Sequence, residues 1–312
     1  MKLSIRPQGH RVESRRRLGG GLAAYRQAVG RISSMRQPIF LLLTLAANSG
    51  RPPVSVQDQS AARLVLPDSL KDWSVRKPDA IDWDASGRST DEWYVRVREG
   101  RLIVSDRPEE EADTLPFKIK PIPKRGETEL AGRRHVLVVE DGYLVGFDAG
   151  EFGGSAWWFS GKGDRWQKLT LRAGSYFPEN VHAFAVLGKD VLAFEGLTHM
   201  FTNHGRIVRL HHGSDGDWHA SLFANLSACP RAVLQLSERT WLFATTTGVF
   251  AIDAEARVRA LWEPRGVHLY YPNSLVRDEA GTVYMGMRSF VVRMAPQSGA
   301  YVVDVLVPPN RR

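Results

Sequence analysis

A β-propeller of five to six blades, each with three to four antiparallel strands, is the all-β fold this sequence predicts. Three observations carry that expectation. Four segments between residues 132 and 308 repeat one plan, an apolar strand, a turn, a second apolar strand and then a third. Their second strands, aligned at Tyr143, Val191, Trp241 and Val283, are spaced by 48, 50 and 42 residues, the period of a propeller blade. No window after residue 50 holds apolar residues at helical spacing over three turns. A two-sheet sandwich is the structural rival, but it gives no reason for a repeat of this length.

The chain has 312 residues, 43% of them apolar, enough to bury a large core. Its formal charge of +8 sits in one place. Residues 1–36 carry nine Lys or Arg and one Glu, whereas the other 276 residues carry 33 basic and 33 acidic side chains. A balanced body offers no net field to nucleic acid. The apolar run Pro38–Ala47 is too short to span a bilayer, which takes roughly 20 residues, and has the length of a signal-peptide h-region. Ala47 and Ser49 offer cleavage positions. Residues 1–49 therefore read as a basic tail with a signal-like segment, translated from Met1 or Met35, and the expected location is periplasmic or secreted. If the leader is not a signal, the location is cytoplasmic.

Residues 50–308 read as one propeller domain, with 60–131 forming an irregular first blade or blades. Within it, Glu92–Ser105 is a hairpin turning at Glu99-Gly100, and Thr114–Pro121 is an edge strand with prolines. The four clearer repeats begin at His135, Val181, Arg231 and Asn273. Their turns contain Asp141-Gly142, Gly188-Lys189-Asp190, Ser237-Glu238-Arg239 and Glu279-Ala280-Gly281. Third strands follow at Ala156–Phe159, Gly205–Leu210, Gly248–Asp253 and Ser289–Met294, and outer strands at Trp218–Phe223 and Ala256–Trp262. Closure is expected where Tyr301–Val307 pairs with an N-terminal strand.

Two segments resemble known propeller families. Trp241-Leu-Phe-Ala-Thr-Thr-Thr-Gly-Val-Phe-Ala-Ile-Asp253 resembles the repeat of two-component-regulator-type propellers, with Ala244 at a position usually held by glycine. Tyr271-Pro-Asn-Ser-Leu-Val-Arg-Asp-Glu-Ala-Gly-Thr-Val-Tyr284 is similar to the Pro-Asn-Gly-Leu segment of gluconolactonase/regucalcin-type propellers, with Ser274 for the glycine. That resemblance implies a metal-ligand position at Asn273. The chain lacks counterparts of that family's Glu-Gly-Pro and catalytic aspartate motifs. The 132–308 region also resembles uncharacterised bacterial propeller proteins carrying a Gly-Glu-Phe-Gly-Gly-x-x-Trp-Trp-Phe stretch.

The same stretch, Gly150–Phe159, supplies the first site candidates. Glu151 follows a strand, and Trp157 with Trp158 could form an aromatic platform, or else sit on a β-bulge with one ring in the inter-blade core and the other at the rim. Glu195, His199 and His204 occupy the corresponding place in the next repeat. Glu151 and Glu195 are expected to be repeat-equivalent acids that, with Asn273, could hold calcium or another divalent cation. Tyr271 and Arg288 complete the ligand-binding candidates, Arg288 as an anion holder. The single cysteine, Cys229, excludes internal disulfides and multi-cysteine zinc sites, and by default is a buried thiol. Nucleotide, serine-hydrolase and zinc-protease motifs are absent. The functional expectation is a monomeric, non-catalytic, cofactor-free propeller binding a protein or carbohydrate at one face, in an inhibitor- or immunity-like way. The alternatives are a metal-dependent hydrolase or lactonase and a structural module of an envelope assembly.

Overall fold

Five antiparallel sheets form around the repeats anticipated from the sequence, each a blade of a propeller. The computed structural model describes residues 66–108, 115–119, 130–171 and 179–309, all within the unit Ala62–Arg312. The basic segment and the apolar run Pro38–Ala47 lie outside the described residues.

The chain enters with β1 (Ser74–Arg76) and one short helix, α1 (Trp83–Arg88), whose start is capped where the Asp82 carboxylate accepts the Ala85 N–H at 2.9 Å. Blade 1 is a two-stranded hairpin, β2 (Tyr94–Arg98) and β3 (Arg101–Ser105). Its two turn residues, Glu99 and Gly100, both have positive φ, 51° and 72°, the geometry that matches strand twist in a tight hairpin. Blade 2 holds β4 (Arg133–Val139), β5 (Gly142–Asp148), β6 (Gly154–Ser160) and β7 (Trp166–Leu169). Its first turn falls at Glu140-Asp141, one residue earlier than expected, because Val139 pairs with Gly142. Blade 3 holds β8 (Asn180–Leu187), β9 (Asp190–His199), β10 (Thr202–His212) and β11 (Trp218–Leu226), and blade 4 holds β12 (Ala232–Ser237), β13 (Thr240–Ala244), β14 (Val249–Asp253) and β15 (Val258–Trp262). Blade 5 consists of β16 (Ser274–Arg277), β17 (Val283–Gly286), β18 (Val291–Gln297) and β19 (Ala300–Val307), with β1 added as a fifth strand. Ser74 pairs with Val307 and Arg76 with Val305, so an N-terminal strand lies beside β19, as the sequence led us to expect.

The segment Leu115–Ile119 is not a strand. Pro116 offers no ladder donor, and the segment instead lays Leu115, Phe117 and Ile119 against blade 2.

Side-chain alternation on the second strands explains why the sheets stack. Along β9, Val191 and Ala193 face blade 2 while Leu192 and Phe194 face blade 4. Along β13, Trp241 and Phe243 face blade 3 while Leu242 and Ala244 face blade 5. Along β17, Val283 and Met285 face blade 4, and Tyr284 packs with Trp93, Val95 and Leu102 of the blade 1 region. A strand alternates its side chains with period two, so an apolar run in each of these strands supplies two different inter-blade cores. Trp83 of α1 adds to the core between blades 4 and 5, packing on Trp262 and Phe290. The first strands β2, β4, β8, β12 and β16 line the inside of the ring, where β4 meets β8, β8 meets β12, β12 meets β16 and β16 meets β2.

Trp241 is fully buried between blades 3 and 4. Trp241→Ala is expected to cost about 3–5 kcal/mol in chemical denaturation, whereas Val138→Ala, on an exposed position of β4, should stay within about 0.5 kcal/mol. A loss below about 1 kcal/mol for Trp241→Ala would contradict the inter-blade placement.

Candidate functional site on the loop face

In every four-stranded blade, the chain enters the first strand at the same end at which the second strand turns into the third. Register shows this directly, since Arg133 pairs with Asp148, Asn180 with Gly196, Ala232 with Ala244 and Ser274 with Gly286. Hydrogen bonds link the loops of this face from blade to blade. The Asn180 amide donates to the Gly150 carbonyl at 2.8 Å, and the Asn203 amide donates to Thr246 Oγ1 at 2.8 Å. The Leu269 N–H donates to the Thr246 carbonyl, the Arg288 N–H to the Tyr270 carbonyl and the Trp93 N–H to the Met287 carbonyl.

Most sequence candidates come to this face, but they do not form one site. Glu151 lies in a 3-10 turn, Gly150–Phe152, beyond the end of β5. Its carboxylate binds His199 Nε2 at 2.9 Å, and both side chains are about two-fifths exposed at 45% and 39%. His204 Nε2 binds Glu179 at 3.0 Å. Glu195 lies inside β9 and is buried, its Oε2 accepting from Arg206 Nε at 2.9 Å across the β9–β10 ladder.

The expected equivalence of Glu151 and Glu195 is therefore corrected. By register, Glu195 corresponds to Phe147 and Gly196 to Asp148. The difference arises because β5 stops at Asp148 while β9 runs on to His199. Asn273 belongs to blade 5, where its Oδ1 accepts from Ser274 Oγ at 2.8 Å. Among the described residues, no group of three or more His, Cys, Asp or Glu is placed to hold a metal ion.

Trp157 and Trp158 are buried, 3% and 8% exposed, so of the two alternatives the platform is excluded, and the core-and-rim reading holds only in part because both rings lie in cores. Adjacent residues of β6 point to opposite faces. Trp157 therefore enters the core beneath Phe117, its Nε1 donating to Ser155 Oγ at 2.8 Å, and Trp158 enters the core shared with blade 3. Tyr271 is exposed, with φ 53°, and the Arg288 guanidinium covers its ring at 3.8 Å. Arg288 also bonds Glu92 at 3.1 Å and the Gly87 carbonyl at 3.3 Å. Those contacts tie blade 5 to the entering chain.

Asp148, His182 and Cys229 form a largely buried polar cluster, of which sequence reasoning anticipated only the buried Cys229 thiol. His182 of β8 donates from Nδ1 to Asp148 Oδ2 at 3.1 Å. Its Nε2 lies 3.2 Å from the Gly196 carbonyl and 3.1 Å from Cys229 Sγ. The Asp148 carboxylate can only accept, so Nδ1 carries a proton; Nε2 can donate to the Gly196 carbonyl or accept from the Cys229 S–H. Burial alone would favour the neutral ring, but the hydrogen bonds to Asp148 and Cys229 push its pKa up to about 9. Burial likewise disfavours the Asp148 anion, yet the His182 bond and charge, the Gly150 N–H and Arg231 bring it down to about 2. His135 is held near 4 by burial and by the charges of Arg133 and His182. One available signal was His182 itself, a polar residue within the apolar strand Val181–Leu187.

A groove of about 440 Å³ lies elsewhere, along β1, β18 and β19. Its Lys77 and Arg293 both bond Asp304, at 2.7 and 3.0 Å.

No family model and no curated protein matches the chain. Solved structures that it is similar to include the extracellular domain of a hybrid two-component system from B. thetaiotaomicron, at 11% identity and a TM-score of 0.37, covering 57% of this chain and 21% of that one. Virginiamycin B lyase from Staphylococcus aureus aligns at 13% identity and a TM-score of 0.38, covering 55% of each chain. A gluconolactonase from Xanthomonas campestris aligns at 14% identity and a TM-score of 0.34, covering 53% of this chain and 59% of that one. The chain thus spans from about a fifth to about three-fifths of these structures' lengths. The assignment of this chain as a propeller rests on its own sheets and inter-blade cores.

Burial outweighs the attraction of Arg206 at Glu195 and raises its pKa from 4.5 to about 7. The folded state then binds more protons than the unfolded state between these values, so Glu195 lowers stability as pH rises from 4.5 through 7. Carrying a carboxyl that far is worth on the order of 3 kcal/mol. Glu195→Gln should match the wild type near pH 4 and be the more stable protein at pH 8, as measured by urea denaturation at both values. A variant less stable than wild type at pH 8 would contradict the assignment.

Proposed function

We propose that this protein binds a partner protein on its loop face without transforming it, in the periplasm or outside the cell. The observation that carries the proposal is an apolar tip of three side chains. Phe152 is 70% exposed, Met200 85% and Phe201 fully exposed. The Glu151–His199 ion pair connects the two loops that carry them, since Phe152 follows Glu151 and Met200 follows His199. Leaving three large apolar side chains in water at one tip is unfavourable unless something covers them.

Phenylalanine and methionine are enriched at protein interfaces, where a few anchors inside a polar rim carry most of the binding energy. The Glu151–His199 and Glu179–His204 pairs supply such a rim. A glycan is the weaker choice, because the Trp157 and Trp158 rings are buried and Arg288 covers the Tyr271 ring. The metal-dependent hydrolase reading would need Glu151 and Glu195 as ligands, and these carboxylates are engaged by His199 and Arg206. Among the described residues no helix is long and apolar enough to cross a membrane.

Site-specific photo-crosslinkers at Phe152 and Phe201 should yield one discrete adduct with a second protein in the cells that make this chain. A crosslinker at Leu222, an exposed position of β11, should not. Phe201→Asp should then weaken binding to that protein by roughly 30-fold at an unchanged unfolding midpoint. The reading is overturned if positions 152 and 201 crosslink no more than 222, or only to copies of this chain.

A further inference from the structure

We propose that the groove along β1, β18 and β19 binds a small amphipathic carboxylate, an acid group on a compact apolar body. The inference does not rest on the docking reading, and the groove lies away from the loop face, toward the turn between β18 and β19. It starts from an asymmetry in how the blades stack. Between other blades the outer strands meet, β7 against β11 and β15 against β19. Blade 1 has two strands, and among the described residues it offers no third or fourth strand to blade 5. Its Trp93, Val95 and Leu102 pack on Tyr284, Val291 and Leu306. Farther along β18 and β19 the same face of blade 5 stays open as a groove of about 440 Å³.

Strand alternation decides what lines it. Arg293 pairs with Asp304 and Ala295 with Val302, two and four residues along from the covered pair Val291 and Leu306, so all share one face. Val75 of β1 adds a further apolar wall. Cavities of roughly 300–1,000 Å³ with apolar walls and a few converging polar groups are the usual form of small-molecule sites.

The polar groups of this groove are unbalanced. Its lining holds two cations, Lys77 and Arg293, against one acid, Asp304. The Asp304 side chain is only 7% exposed and takes Lys77 Nζ at 2.7 Å on one oxygen and Arg293 at 3.0 Å on the other. One positive charge is left over. Lys77 is 63% exposed, and an ammonium has three donors, so it can take a second carboxylate while keeping Asp304. Arg293 is largely buried, and its Nε–H has no acceptor among the described residues. The polar end of the groove therefore favours an anion. The Val75, Ala295 and Val302 walls favour an apolar body beside it. A free inorganic anion would leave those walls in water, and an apolar cation would meet like charge.

Titration calorimetry of the full chain with octanoate should show binding with a Kd on the order of 1 mM. Octylammonium at the same ionic strength should show none. Lys77→Gln, which keeps a donor for Asp304 and removes the exposed charge, should weaken octanoate binding by about tenfold. Val302→Trp, which fills the groove, should abolish it. Octanoate should also slow acetylation of Lys77 by acetic anhydride, but not that of Lys162, an exposed lysine between β6 and β7. The proposal is overturned if octanoate does not bind, if octylammonium binds equally, or if octanoate affinity is unchanged in Lys77→Gln. Equal acetylation of Lys77 with and without octanoate also overturns it, whether or not the Val302 variant folds.

Discussion

Adjacent blades of this molecule cover one another's apolar faces. A strand whose alternate residues are both apolar cannot satisfy itself within one sheet, because each face must exclude water. In β9, β13 and β17, odd and even residues feed different inter-blade cores. Stacking the blades covers both faces of these three strands, and the pairing of β1 with β19 covers the outer edge of blade 5.

The site follows from that constraint. Strand interiors are committed to packing, so chemistry is left to the ends, where loops leave the ring. Asp148 ends β5, His182 lies at the third position of β8, and Cys229 precedes β12. Blades 2, 3 and 4 thus contribute one member each to a buried array. Blade 3 differs from its neighbours in having long second and third strands, β9 and β10, which carry their turn out to Met200 and Phe201. One face therefore holds both a buried charged cluster and an exposed apolar tip, joined through Asn203 and Gly196.

The blades were legible because doubly buried strands produce apolar runs at a fixed spacing. The closing strand partner was anticipated, and so was the Glu99-Gly100 hairpin, whose turn chemistry is local. What could not be read was which side of a strand a residue takes relative to a neighbour chosen by tertiary packing. The sequence left Trp157 and Trp158 between a platform and the core, and β6 sends one to each of two cores. Glu151 and Glu195 look equivalent until the lengths of β5 and β9 differ. The Asp148–His182–Cys229 array joins groups from three blades, with His182 and Cys229 47 residues apart, and no local pattern encodes such convergence. Glu151–His199 is an intermediate case, in which both residues were candidates and only the fold shows that they pair.

If the blades stabilise one another, they should open together. Native-state hydrogen exchange of the amides in β5, β9, β13 and β17 tests this most directly. The ring account expects all four strands to exchange at one shared free energy equal to that of global unfolding, with the Met200-Phe201 turn exchanging far faster. Separate opening free energies for the four strands would contradict the claim that inter-blade packing holds the protein together.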